Sequence, residues 1–560
     1  MERILEERIP LMECIRTSTH HPGLSIGVIY EGKEIFKHNM GVMNTATRQP
    51  PNSDTLYCIA SLTKAFVAAS LDMLIQEGKI PSWDTTIQSI IPEFRHHGKP
   101  ELYAELTLRD ICSHRSGFLK FDEFIQGMDG RILLPKSDVV SICNVLPVHS
   151  NLRAEFHYSN VMYELGCAII ERVSGYKNWF DFQRERIFKP LGMERTTARR
   201  EVHYTDANVA TPYVALTSTK EEGREEKIFY ELQPTSSSAD SMNGGAGAIR
   251  SSVNDLLKWC KCLLQSFRPV TSKNESGIVR HNSPIFHRAA IMNPEAPEDG
   301  DYCLGWFHHR TPARIRLGDP ILGKNSASLA IYSHQGDLPG YIGNIYLVPS
   351  SETAVVVLSN GIGWADATNY VAQDILQTLH GLQPRIDFLE LARRESGAYY
   401  RHLSLLENRY TTPLEENRHV KEATTTTRPP PLSLRELTGT YVLLDYEKIC
   451  LDIDIIAEYK DNQTNTDTTT KREKGKERLL RATVNKQADQ VWELWHHRHD
   501  VFCRLPETFD ECLRRGIYPP TSSTSWEASL VSFRRNAEGV VGSLSLRLNG
   551  VEVILKKKQI

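Results

Sequence analysis

Ser61-Leu62-Thr63-Lys64 places a hydroxyl and an amine where together they could do acyl transfer. Residues 55–60 before it read as extended, and residues 65–75 after it read as an apolar helix. Ser61 therefore meets the helix at its first turn, and Lys64 follows one turn later on the same face. A serine hydroxyl is a weak nucleophile near neutral pH, and an amine beside it helps remove its proton. The unpaired N–H groups of a first helical turn point to where an oxyanion would form. The tetrapeptide alone is not decisive, because chance supplies such a match in a chain of 560 residues. A second copy, Ser174-Gly175-Tyr176-Lys177, closes an amphipathic run, where Ser-Gly reads as a helix stop.

Two further motifs add to the first. Tyr158-Ser159-Asn160 precedes a helical pattern over residues 161–173, and Ser333-His334-Gln335-Gly336 ends the extended run Leu329-Ala330-Ile331-Tyr332. In this order the three resemble the active-site signature of serine β-lactamases and penicillin-binding proteins. The tyrosine of the second motif is similar to the class C β-lactamase, D-aminopeptidase and esterase branch. Residues 107–117 resemble that family's "LLSHTSG" stretch, and residues 243–256 its Gly-Gly segment entering a helix. The resemblance spans about residues 5–385.

The resemblance implies roles for seven residues. Ser61 would form an acyl-enzyme with an ester or amide carbonyl, and Lys64 would share its proton. Tyr158 would be the general base; a phenol titrates near about pH 10, so it needs a neighbouring cation, for which Lys64 is the candidate. Asn160 would hold Lys64 and the substrate's carbonyl or amide, although a helix-capping asparagine is a rival reading. The amide of Asp337 would join that of Ser61 in the oxyanion hole. Gly336 would let the substrate backbone approach the strand edge. His334 departs from the Lys-Thr-Gly of β-lactamases. A lysine there is a permanent cation that grips a carboxylate, whereas a mostly neutral histidine orients a hydroxyl or water. That shifts the expectation away from β-lactams and toward D-aminopeptidase and esterase chemistry. His114, His309 and the run His496-His497-Arg498-His499 lack matched partners at metal spacing and read as surface or loop histidines. No cofactor and no metal are expected.

The length suggests two or three domains. With 66 basic against 69 acidic side chains, neither nucleic acid nor a membrane surface is expected as a partner. The first residues are charged every few positions, unlike a secretory leader, and no run reaches membrane-spanning length. The 11 cysteines, an odd number without repeating spacing, suggest reduced thiols and a cytoplasmic protein.

The elements that must position the motifs follow from periodicity. Residues 24–36 read as a hairpin turning at Glu31-Gly32, and residues 341–348 and 353–358 as strands. Helical patterns fill most of 61–78, 161–173, 178–188, 253–265 and 367–380. Strands at both ends with helices between suggest one sheet built from distant segments with an inserted helical subdomain, and the family resemblance implies an α+β, β-lactamase-like fold whose antiparallel sheet is flanked by helices. The stretch 267–301 reads as a surface excursion shaping the mouth of the site. A polar helix over 386–408 precedes Thr424-Thr425-Thr426-Thr427-Arg428-Pro429-Pro430-Pro431, which is linker material. Beyond it, Leu544, Leu546 and Leu548 alternate up to Asn549-Gly550, and Val551, Val553 and Leu555 alternate after it. This is a hairpin with one buried face. The region resembles the lipocalin-like β-barrel appended to some members of the family, and residues 459–476 read as a disordered loop within it. The domains expected are 1–408 for the hydrolase, 409–432 for the linker and 433–560 for the barrel.

The function expected is a serine hydrolase cleaving an ester or amide of a small molecule or short peptide. One rival is an acyltransferase using the same site, as occurs in this family in fungal secondary metabolism. The other is a non-catalytic scaffold that kept the fold.

Overall fold

Residues 24–36 do fold back on themselves, as Gly23–Tyr30 (β1) and Lys33–Gly41 (β2). They form one edge of an eight-stranded sheet whose other strands lie far along the chain. These are Ala290–Ile291 (β3), Asp301–Tyr302 (β4), Phe307–Arg310 (β5), Ala330–Leu338 (β6), Tyr341–Val348 (β7) and Thr353–Ser359 (β8). The order is β2-β1-β8-β7-β6-β5-β4-β3, and every neighbouring pair is antiparallel. The computed structural model describes residues 1–217, 228–268, 277–411, 433–444, 446–456, 478–504, 508–517 and 526–559.

The chain divides into two compact units. The first holds Met1–Lys120, Asp129–Arg401 and Arg514–Ile517; the second holds Phe121–Met128, His402–Leu513 and Tyr518–Ile560. In the first unit, strands β1, β7 and β8 are buried on both faces, so their near-continuous apolar sequences are covered from two sides. On one face Leu24, Ile26 and Val28 pack with Met12 and Ile15 of helix Ile9–Ser18 (α1). Val371, Ile375 and Leu376 of helix Ala367–His380 join the same core. Each such side chain contributes about 1.5–3 kcal/mol by leaving water. Helix Val253–Gln265 packs on β1 and β8. It starts at Ser252, whose hydroxyl accepts the Asp255 N–H, and buries Val253, Leu256, Leu257, Cys260, Leu263 and Leu264, the spacing of one helical face.

Two helices lie at the heart of this unit. Thr63–Gln76 (α2) is buried continuously from Thr63 through Leu74. Asn160–Ser174 (α3) crosses it and ends at Gly175 with φ 82°, so the second Ser-x-x-Lys copy is a helix stop. The expected helix over 178–188 is α-helical for Trp179–Gln183 and then widens into a π-turn, Arg184–Phe188.

Two expectations change. The motif Ser333-His334-Gln335-Gly336 lies inside β6 rather than at its end, because pairing with β7 continues to Leu338 opposite Tyr341. The described part of the stretch 267–301 is also more than a surface excursion. It buries Ile285 and Phe286 and carries β3 and the first residue of β4, lengthening the sheet.

The second unit contains a closed eight-stranded barrel: Gly439–Leu443, Tyr446–Ile455, Arg478–Val484, Val491–Arg498, Val501–Cys503, Leu530–Arg535, Val541–Leu548 and Val551–Lys557. Its last hairpin pairs Leu548 with Val551 and Leu546 with Val553. Asn549 (φ 47°) and Gly550 (φ 82°) turn it, the two positive dihedrals that a two-residue hairpin needs. Phe121–Met128 belongs to this unit: Asn485 Nδ2 donates to the Phe124 carbonyl (2.7 Å), and the Met128 amide donates to Gln490 Oε1 (2.7 Å). The Thr/Pro-rich stretch from 412 and the expected loop at 459–476 lie outside the described residues. All eleven cysteines are free thiols. Among the described residues no helix is long and apolar enough to cross a membrane.

Candidate active site

Ser61 sits half-buried in a single 3₁₀ turn, Ala60–Leu62, that runs straight into α2. Ala60 has φ 47°, a left-handed backbone that costs a non-glycine residue about 1 kcal/mol or more and persists only where its surroundings enforce it. Strand β6 is part of that enforcement. A Cβ on Gly336 would lie 2.1 Å from the Ile59 carbonyl oxygen and 3.3 Å from Ala60 Cβ. Gly336 is therefore required by the closeness of the strand to the serine turn.

Lys64 is fully buried. Its Nζ donates to Ser61 Oγ (2.9 Å), to Asn160 Oδ1 (2.9 Å) and to the Ala246 carbonyl (3.0 Å). The first motif, the second motif and the Gly-Gly segment thus meet on one ammonium. Asn160 begins α3, directly after Ser159 at the cap. Ala246 belongs to the short turn Gly244–Gly247, which Glu164 holds from α3: Glu164 Oε2 accepts the Gly245 N–H at 2.7 Å. Burial pushes the Glu164 carboxyl up to about 8, so it is protonated at neutral pH. Glu164 carried no motif that could have marked it beforehand.

Tyr158 lies against the same lysine, with Lys64 Nζ 4.8 Å from its ring centroid, a distance at which a cation and an aromatic face attract. Behind it stands His114, ring centroids 4.1 Å apart. His114 is wholly buried, contrary to the surface reading of its sequence context, and His309 is likewise buried. His496 and His497 are also buried, on strand Val491–Arg498 of the barrel. His114 Nδ1 accepts the Ser159 N–H (3.1 Å), and its backbone carbonyl accepts the His157 N–H (2.8 Å). The residues on either side of Tyr158 are thereby tied to one histidine. Burial, with the charge of Lys64 next, holds the His114 imidazole well below its ordinary range, so it is neutral with its proton on Nε2.

His334 is buried and neutral, pushed down to about 3 by burial and then by Lys64. Its Nδ1–H donates to the Gln335 carbonyl (2.7 Å), and its Nε2 accepts from the Tyr302 hydroxyl (3.1 Å). The hydroxyl it orients belongs to the protein itself. Tyr302 escaped the sequence reading because its strand is two residues long and has no periodicity to read. It anchors an aromatic wall: Phe307 lies 4.8 Å from Tyr302 and 5.0 Å from His334, and Phe156 lies 5.4 Å from Tyr302.

Asp337 follows Gly336 on β6, so its side chain points to the opposite face, where it interacts electrostatically with Arg316. What it can offer on the serine side is its backbone. Pairing of β6 with β5 runs only from Ala330 to Ser333, so among the described strands none pairs with residues 334–338 on that side. The arrangement supplies a hydroxyl against a buried ammonium, a phenol over that ammonium and a strand edge beside both. Those are the parts needed for addition to a carbonyl carbon.

The chain is similar to several known proteins. The unguisins hydrolase ungD of Aspergillus violaceofuscus (strain CBS 115571) is 28% identical over 356 residues, 60% of this chain and 58% of that protein. The chain therefore matches less than two thirds of that relative's length. The unguisins hydrolase ungD' of Aspergillus campestris (strain IBT 28561) is 25% identical over 478 residues, 80% of this chain and 78% of that one. Among solved structures, the octameric penicillin-binding protein homologue from Pyrococcus abyssi superposes with a TM-score of 0.54 at 20% identity, covering 98% of this chain and 99% of its own; this likeness concerns the fold. The sequence model of the Beta-lactamase family matches residues 10–380, a span that takes in the serine turn, α3 and β6, and the chain belongs to that family.

Proposed function

We propose that this protein is a serine hydrolase that cleaves an amide or ester bond of a small molecule or short peptide through an acyl-enzyme on Ser61. The observation that carries the reading is the buried Lys64 ammonium, 2.9 Å from both Ser61 Oγ and Asn160 Oδ1. In this scheme Tyr158 starts as a phenolate held by the Lys64 ammonium, and Ser61 Oγ attacks the carbonyl carbon while its proton passes to that pair. The backbone amides of Ser61 and Asp337 receive the oxyanion. The same proton then goes to the departing amine or alcohol. Water, deprotonated by the pair, attacks the ester and frees Ser61.

The neutral His334, with both ring nitrogens bonded inside the protein, supports a substrate lacking the carboxylate that a lysine would grip. The wall of Phe156, Tyr302 and Phe307 supports an apolar or aromatic acyl side chain. The relatives named as unguisins hydrolases support hydrolysis over a silent scaffold.

A fluorophosphonate should add one label to the folded protein, on Ser61. Turnover of aryl esters and small peptide amides should fall about 10³-fold or more in Ser61→Ala and hold in Ser174→Ala. Equal losses in the two variants, or no label, would overturn the assignment. With an amine or alcohol added, free acid is the expected product; predominant transferred product would replace the hydrolase by an acyltransferase.

A further inference from the structure

We propose that His149, Glu155 and His157 form a site for a divalent first-row transition metal of the zinc type, and that the bound ion clamps the segment carrying Tyr158. The three side chains offer two ring nitrogens and a carboxylate oxygen that all lie within 4.8 Å of one another. His157 Nε2 is 2.8 Å from a Glu155 carboxylate oxygen, and the two imidazole centroids are 3.8 Å apart. A tetrahedral ion with bonds of about 2.0–2.1 Å holds its ligand atoms about 3.3 Å apart, so side-chain rotations alone close the site. Two imidazoles and one carboxylate suit zinc and its neighbours; calcium and magnesium take oxygen. A water completes the shell, because the trio faces solvent.

The backbone is tied down at both histidines. The His149 amide donates to the Gly117 carbonyl and the His157 amide to the His114 carbonyl, each at 2.8 Å. Little ordering remains to be done on binding. Ligation at Nε2 displaces the proton shared with Glu155: neutral His157 moves it to Nδ1, and an imidazolium releases it to solvent.

Tyr158 is the next residue, held between the His157 amide and the Ser159 amide, both bonded to His114. An ion on His157 therefore restrains one of the two backbone anchors of that tyrosine. This second half of the proposal rests on the reading of Tyr158 in the proposed function; the metal site itself does not.

The test is titration of the full chain with Co²⁺, followed by displacement with Zn²⁺. One equivalent should bind with a nitrogen/oxygen ligand-field spectrum and no thiolate charge-transfer band, and the variant His149→Ala/His157→Ala should lose it. With Zn²⁺, exchange of the His149 and His157 amides should slow about fivefold or more in the unaltered protein only. Its turnover should change about threefold, and that of the variant not at all. Equal Co²⁺ uptake by both proteins, a thiolate band or no bound ion would overturn the site. Binding and amide protection with unchanged turnover would overturn the coupling to Tyr158. An unaltered protein that binds the ion yet hydrolyses nothing would count against the proposed function and leave the site standing.

Discussion

Lys64 has no motion to spare: its ammonium is enclosed by three oxygens from three separate segments, and each has its own support. The Ala246 carbonyl depends on Glu164, the least conspicuous of these supports. Because burial raises this carboxyl to about 8 from its ordinary 4.5, the folded protein keeps a proton that the unfolded chain gives up. The stabilisation is complete below about pH 4.5 and is lost as pH rises to about 8, at roughly 1.4 kcal/mol per unit. Glu164→Gln keeps an acceptor for the Gly245 amide and removes that dependence. Its denaturant midpoint should therefore gain on the unaltered protein between pH 5 and 8 while kcat holds. Glu164→Leu leaves the amide unpaired in the interior, at about 1–3 kcal/mol, and should lower kcat about tenfold as Lys64 loosens. Rescue by glutamine and failure by leucine identify positioning; equal kcat in both would mean that the turn holds itself.

At the scale of elements, the contact between β6 and the serine turn decides the geometry of the nucleophile. Gly336→Ala inserts a Cβ 2.1 Å from the Ile59 oxygen, so strand or turn must shift. We expect a stability loss of about 1–3 kcal/mol and a fall in kcat of about 100-fold, since displacements near 1 Å cost that much. Thermal midpoint and steady-state kinetics on one preparation separate the two effects; a stability loss with kcat unchanged would show that the turn keeps its shape without the strand.

Helices α2 and α3 and the Asn-Gly hairpin were legible because each repeats a pattern along its own length. So were the first two motifs, which lie at the starts of α2 and α3, whereas the third, read as a strand end, lies inside β6. Tyr302, His114 and Glu164 were not, since their importance comes from neighbours distant in the chain. Residues 114, 158, 302 and 334 meet only when β4, β6 and α3 are in place. A histidine buried by tertiary packing looks, in one dimension, like a histidine in a loop. Two-residue strands such as β3 and β4 fall below the length at which alternation exists, and the stretch holding β3 therefore read as surface.

At the scale of the whole molecule, acid should unfold this protein early. His309 and His334 are both buried, with imidazoles pushed down to about 4 and about 3. In the unfolded chain each takes up a proton near about pH 6.5. As pH falls below that value the unfolded state gains protons the folded state refuses, and stability drops by at most about 1.4 kcal/mol per unit for each histidine until its folded value is reached. Urea midpoints between pH 7 and 4.5 should fall accordingly, with a shallower slope in His309→Leu. An identical slope in that variant would assign the acid sensitivity to other groups.

The sheet has a consequence in time as well as in space. Leu24 pairs with Ser359 and Ile29 with Ala354, so the first strand of this sheet to leave the ribosome waits for the last one. Closing so long a loop is slow, and during the wait Leu24, Ile26 and Val28 of β1 have only the early-made α1 from their core to pack against. The strand that presses on the serine turn also emerges late. A nascent chain ending before residue 330 holds Ser61, Lys64, Tyr158 and Asn160 but lacks β6, β7 and β8. Ribosome-bound chains of that length should not label with a fluorophosphonate, and labelling should begin only once the exit tunnel has released β8; labelling of the shorter chains would show that the nucleophile assembles without its strand. The late strands would then act as a clock, keeping a reactive serine silent until its enclosure is finished.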